Sequence, residues 1–258
     1  MWVALFLAAG AGLCTTIGSV LGIVIKKPGP NFMGFALGFS AGVMIFVSFA
    51  ELVAKAIEIE GVGFLGAYIA FFIGMGFYFL IDVLVPHDYM GQHDHSGNKY
   101  DSAPGRSPQN LERTGLLLAL GVSIHNFPEG AATFVATLES FSIGLPIALA
   151  VAIHNIPEGL AIAAPIYAAT GNRRKAFFWS FFSGISEVAG AVLAAAILMP
   201  ILSETIMGFV LAGVAGIMVL ISLDELIPSA KALAREHMPI MGVIVGMVLM
   251  MVSQYWLE

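Results

Sequence analysis

Two short stretches of the chain repeat each other. His125-Asn126-Phe127-Pro128-Glu129-Gly130 and His154-Asn155-Ile156-Pro157-Glu158-Gly159 agree at five of six positions. On a helix, His and Glu at i and i+4 lie one turn apart on one face, so each copy offers an imidazole nitrogen and a carboxylate in one direction. Asn126 and Asn155 add neutral amide oxygens on an adjacent face. Proline within each copy removes a backbone N–H and frees the carbonyls of Ile124 and Ile153. Glu187, set among Gly184, Ser186, Ala189 and Gly190, supplies a third carboxylate. Such nitrogen and oxygen donors suit Zn²⁺, Fe²⁺, Mn²⁺, Co²⁺ or Cd²⁺ better than Cu⁺, which prefers sulfur. The single cysteine, Cys14, excludes both an intramolecular disulfide and a paired-thiolate site.

The elements that must position these groups follow from composition. Of 258 residues, 59% are hydrophobic and 11% charged, with a net charge of −6 and a mean hydropathy of +0.91. A soluble domain carries about 25% charged residues, and no basic face is available to track the phosphates of a nucleic acid. Runs long enough to cross a hydrocarbon core of about 30 Å, roughly 20 residues each, number eight. They extend from Trp2 to Ile25, Phe32 to Ile57, Val62 to Val85, Thr114 to Leu138, Ile143 to Ala169, Phe177 to Met199, Thr205 to Ile227 and Ile240 to Trp256. The fold expected is therefore all-α, a single polytopic bundle of eight transmembrane helices over residues 1–258, with one long polar loop from about Pro86 to Arg113.

If the helices alternate in direction, Lys26, Lys27, Lys99, Arg106, Arg113, Arg173, Arg174, Lys175, Lys231 and Arg235 share one side, and Lys55 alone lies opposite. The positive-inside rule makes the first side cytoplasmic and places both termini outside. The small-residue stretch Ala8-Ala9-Gly10-Ala11 resembles a signal-peptide cleavage region, but the positive charge follows the apolar run instead of preceding it, as a first transmembrane helix requires. Glycines at 10, 12, 18, 22, 34, 38 and 42 suggest close helix packing.

Each motif copy and Glu187 then fall near the middle of a span. A charge there costs about 2.5 to 3.5 kcal/mol, so three unpaired carboxylates would cost on the order of 8 to 10 kcal/mol. No Lys or Arg lies at that depth. The acids must hold protons, face a hydrated cavity or bind a cation, and the spacing favours the cation. An interhelical hydrogen-bond network is the structural alternative, yet it needs no excess of acids over histidines.

The two His-Asn-x-Pro-Glu-Gly copies on consecutive helices, with Ser183-Gly184-x-x-Glu187 on the next, resemble the ZIP family of divalent-metal transporters. Leu37-Gly38-Phe39 with Ala41-Gly42, and Asp224-Glu225-Leu226-Ile227-Pro228, extend the resemblance over essentially the whole chain. It implies inward transport of Zn²⁺, with Fe²⁺, Mn²⁺, Co²⁺ and Cd²⁺ as further cargo and no resident cofactor, through a binuclear centre in a bacterial inner membrane. In that centre His125, Glu129, His154 and Glu158 form one site, Asn126, Asn155 and Glu187 complete a second, and Glu129 and Glu158 bridge the two. It also implies alternating access, with the first, fourth, fifth and sixth helices moving against the rest; a channel-like pore is the rival.

Glu51 is either an entrance ligand or a partner of Lys55, while His87, His93 and His95 form a thin histidine loop able to take metal at the exit. Asp82, Asp224 and Glu225, near cytoplasmic helix ends, are expected to be interfacial anchors, helix–helix hydrogen bonds or groups on the exit path. The partners expected are divalent metal ions, the lipid bilayer and a second copy of the chain in a homodimer. An intramembrane zinc peptidase would need His-Glu-x-x-His, whereas Asn follows each histidine here. A metal sensor would need an output domain, and none is read in the chain.

Overall fold

The computed structural model describes residues 1–25, 29–84, 108–198, 203–234 and 237–257, without the side chains of Asp82, His125 and several neighbours. The described residues are helical throughout, joined by short turns. In chain order the long helices are α1 (Trp2–Val24), α2 (Pro30–Glu58), α3 (Gly63–Leu84), α4 (Pro108–Glu139), α5 (Phe141–Thr170), α6 (Arg173–Leu198), α7 (Glu204–Leu233) and α8 (Met238–Leu257). Seven of them are long and apolar enough to cross a membrane. The expected span from Thr114 to Leu138 lies within α4, much of whose first half has side chains outside the described set.

Two boundaries differ from expectation. The polar stretch before Thr114 is not loop up to Arg113, because α4 already starts at Pro108. Proline's fixed φ suits the first helical position, where its missing N–H costs nothing, and Glu112, just past the first turn, pairs with Lys175 of α6. Helix α7 likewise runs on past Ile227 to Leu233; Ala230, Lys231, Ala232 and Leu233 are strong helix formers. Each of α2 and α7 also contains a π-helical turn, Ser48–Val53 and Ser222–Leu226.

Serine and glycine mark several helix ends. Ser140 and Ser203 cap α5 and α7 by accepting from Ile143 N and Ile206 N, which satisfies otherwise orphaned N–H groups. Gly171 ends α5 with φ of 63°, a left-handed conformation that favours glycine.

Helices α1, α4, α5 and α6 all pack on one another, while α2 packs on α7 and α8, and α3 on α7. The two groups meet mainly where α2 crosses α5 and α4 crosses α7. Small residues permit these close approaches. A Cβ on Gly38 or Gly42 of α2 would overlap the carbonyl oxygens of Pro239 and Val243 in α8, and one on Gly18 of α1 would overlap that of Ile156 in α5. Gly10 is the exception among the expected packing glycines, with open space around its Cβ position. Large apolar side chains such as Phe64, Leu65, Phe72, Ile73 and Val248 are exposed on the outer faces of α3 and α8. That is the arrangement of a bundle whose exterior meets hydrocarbon.

Candidate metal centre

Helix α5 supplies the second motif copy, and its neighbours supply the rest. Pro157 and Pro128 are accommodated inside α5 and α4 without breaking them. The closing glycine of each copy explains how the helices come near enough. A Cβ on Gly130 would overlap the Glu187 carbonyl oxygen of α6, and one on Gly159 the Thr15 carbonyl oxygen of α1. Asn126, Glu129, His154, Asn155, Glu158 and Glu187 are all buried, none exposing more than 1% of its surface. His125 lies on α4 one turn before Glu129, and its side chain is outside the described residues.

The cluster is assembled pairwise. His154 Nδ1 lies 3.0 Å from the Ala150 carbonyl oxygen, and its Nε2 lies 3.1 and 3.2 Å from the two oxygens of Glu129. A carbonyl can only accept, so Nδ1 carries the proton of that bond, and in neutral histidine Nε2 is then a lone pair. A lone pair facing a carboxylate needs a cation or a proton between them. The same Nδ1–H bond to a backbone carbonyl is what fixes the ring of a metal-ligating histidine.

The two asparagines show a parallel division of labour. Asn126 Nδ2 donates to the Ser183 carbonyl oxygen at 3.2 Å, while Asn155 Nδ2 donates to the Ala11 carbonyl oxygen at 2.9 Å and to Glu187 Oε2 at 2.7 Å. The nitrogens are spent on the scaffold. Asn126 Oδ1, Asn155 Oδ1 and Glu187 Oε1 are buried without a hydrogen-bond partner among the described residues. Burying such oxygens unpaired costs about 1 to 3 kcal/mol each, and amide and carboxylate oxygens are atoms of a kind that can ligate a cation. Glu129 and Glu158 lie within electrostatic reach of Glu187.

Among the described residues, which omit the His125 side chain, no three His, Cys, Asp or Glu side chains converge as a bound ion would require. The candidate ligands are instead engaged in pairs, His154 with Glu129, Asn155 with Glu187, and Glu158 with Ser40 of α2 at 3.0 Å. Sequence reasoning did not single out Ser40. A lone serine in an apolar helix carries no signal that separates it from a packing residue.

Other expected residues fall elsewhere. Glu51 lies in the π turn of α2 and, with Lys55, Glu58, Ser142, Pro146 and Gln254, lines a cleft of ≈270 Å³ at the Glu58 end of that helix. Lys55 donates to Glu58 Oε2 at 2.9 Å. Glu225, in the π turn of α7, accepts from Tyr78 of α3, a helix–helix hydrogen bond, which is one of the alternatives expected of it. His87, His93 and His95 lie outside the described residues, as does the Asp82 side chain.

The family described as "ZIP Zinc transporter" matches residues 82–254. The chain is similar to proteins named "Zinc transporter ZupT". It is 45% identical to the one from Salmonella heidelberg (strain SL476), over 253 residues that make up 98% of this chain and 96% of the relative. It is 44% identical to the one from Salmonella arizonae over 256 residues, with the same coverage.

Proposed function

This chain belongs to the ZIP zinc transporter family, a family of multi-pass membrane transporters and not of enzymes, and from that membership we propose that it carries Zn²⁺ into the cytoplasm through the cluster built on α4, α5 and α6. The observation that carries the reading is the set of buried, unpartnered oxygens, Asn126 Oδ1, Asn155 Oδ1 and Glu187 Oε1, beside His154 Nε2, which lies 3.1 Å from Glu129. A divalent cation offers all of them a partner at once. It also relieves the repulsion among Glu129, Glu158 and Glu187, which no Lys or Arg at that depth offsets.

In this reading the centre is binuclear. His125, Glu129, His154 and Glu158 take one ion, Asn126, Asn155 and Glu187 take the other, and Glu129 and Glu158 bridge. Fe²⁺, Mn²⁺, Co²⁺ and Cd²⁺ share the required ligand chemistry and are further cargo. Eight spans in one membrane domain, both termini outside, put the cleft around Glu51 and Glu58 on the extracytoplasmic side, where Glu51 is an entrance carboxylate. His87, His93 and His95 take metal at the exit. An inside-negative potential favours entry of a divalent ion by about 4.6 kcal/mol per 100 mV, at about 2.3 per elementary charge.

The two packing groups of helices, meeting chiefly at α2–α5 and α4–α7, support a carrier in which they move against each other. A carrier gives saturable flux stimulated by metal on the far side; flux linear in concentration would favour a pore instead. The test of the whole reading is zinc influx into liposomes loaded with a zinc-sensitive dye. Wild type should fill them, and Glu129→Ala and His125→Ala should reduce influx at least about 100-fold, the upper range for loss of a group that supports metal binding. Undiminished influx in these variants would overturn the site, and none in wild type would overturn the transport reading.

A further inference from the structure

Several hydroxyl groups within the helices of this protein close on their own backbone, while others, such as that of Ser180, reach carbonyls of neighbouring helices. Ser48, Ser123 and Ser222 each donate to the carbonyl four residues earlier, at 2.7, 2.6 and 2.8 Å, the usual resting bond of a helical serine. Ser40 behaves differently. It is fully buried on α2, and its Oγ reaches across to α5, 3.0 Å from Glu158 Oε1 and 3.3 Å from the His154 carbonyl oxygen. A serine that leaves its own helix to hold a carboxylate restricts how that carboxylate can turn.

The helix that carries it matters as much. The other groups around the cluster come from α1, α4, α5 and α6, which pack together as one group; α2 packs with α7 and α8. Ser40 is thus a polar contact from the second group to a carboxylate of the cluster. It lies where the two groups meet.

We infer that Ser40 is a positioning residue for metal transport, its hydroxyl orienting the Glu158 carboxylate from the opposing helix group so that the carboxylate is presented to the arriving ion. The inference rests on Glu158 serving as a metal ligand. Each carboxylate oxygen has lone pairs enough to keep a hydrogen bond while it binds metal, so Ser40 supports Glu158 in the loaded site as well. Groups that orient a ligand in this way typically contribute about 10- to 100-fold in metal affinity. They act on binding rather than on the architecture.

The experiment measures initial zinc influx in proteoliposomes over a range of zinc concentrations for wild type, S40A, S48A and E158Q. E158Q should be inactive, and an active E158Q would overturn the site assignment itself. S40A is expected to accumulate in membranes at the wild-type level, with KM for zinc raised about tenfold and maximal rate within about twofold of wild type. S48A removes the same atom from the same helix, but its hydroxyl bonds only locally, so its KM should stay within about twofold of wild type. With E158Q inactive, three results would overturn the role of Ser40: an unchanged KM in S40A, an equal rise in S48A, or failure of S40A to accumulate, which would make the hydroxyl a fold-holding group.

Discussion

The two copies of the His-Asn-x-Pro-Glu-Gly motif are nearly identical in sequence, and their asparagines and glycines meet different neighbours. On α4, Asn126 uses its amide nitrogen on one carbonyl, that of Ser183, and Gly130 lies against the backbone of Glu187. On α5, the nitrogen of Asn155 serves both the Ala11 carbonyl and the Glu187 carboxylate, while Gly159 lies against Thr15 of α1. Glu129 faces a histidine from the other copy, and among the described contacts of Glu158 is a serine from α2. Helix α5 packs against α1, α2, α4 and α6, and α4 against α1, α5, α6 and α7, so each copy meets its own set of neighbours. A motif therefore specifies which atoms are offered; the neighbouring helices decide what each atom does.

The largest expected effects come from the glycines, where the copies are alike. Gly159→Val and Gly130→Val each place side-chain atoms on a backbone carbonyl oxygen that cannot turn aside, a penalty of about 3 kcal/mol or more for overpacking. Both variants should yield little monodisperse protein in detergent. Normal yields would show that the close approaches are not required.

The asparagines separate the copies. Asn155→Ala removes the group that joins α1, α5 and α6, and should weaken zinc binding about tenfold or more; Asn126→Ala should cost several-fold less. Zinc titration of the purified proteins checks the order, and equal losses would erase the distinction drawn above. Acidity should act on both copies together, because a histidine must be neutral to ligate. Lowering the pH from about 7.5 to about 5.5 should raise KM for zinc, because protons compete with metal for the ligands. A pH-independent KM would contradict ligation by His154 and His125.

The smallest effect belongs to the Lys55–Glu58 pair, whose side chains are partly exposed. Exposed pairs contribute about 0 to 1 kcal/mol, so Glu58→Gln should leave thermal stability and maximal influx near wild type. A large fall in either would move functional weight from the buried cluster to the outer cleft.

Much of this was legible in the amino-acid sequence because hydrocarbon makes buried charge conspicuous. Glu129, Glu158 and Glu187 stood out as acids in apolar runs, and the helix-compatible His-to-Glu spacing linked two of them to nitrogen donors. The stripe Gly34, Gly38 and Gly42 also signalled a close helix contact, and Gly38 and Gly42 do meet α8. What could not be read depends on which helix lies opposite. The partner of Ser40, the division of each asparagine into a committed nitrogen and an unpaired oxygen, and the π turns around Glu51 and Glu225 follow from three-dimensional packing. The start of α4 at Pro108 was missed for a different reason. Polar residues describe solvent contact, and they do not forbid a helix.

The central claim is that the transported ion rests among Glu129, His154, Asn155, Glu158 and Glu187. Anomalous scattering at the zinc edge, from crystals of the zinc-loaded protein, tests it most directly. The account predicts zinc peaks at ligand distance, about 2.0 to 2.2 Å, from Glu129, Glu158 and His154. Zinc confined to the cleft beside Glu51 and Glu58, with the buried cluster lacking a peak, would contradict it.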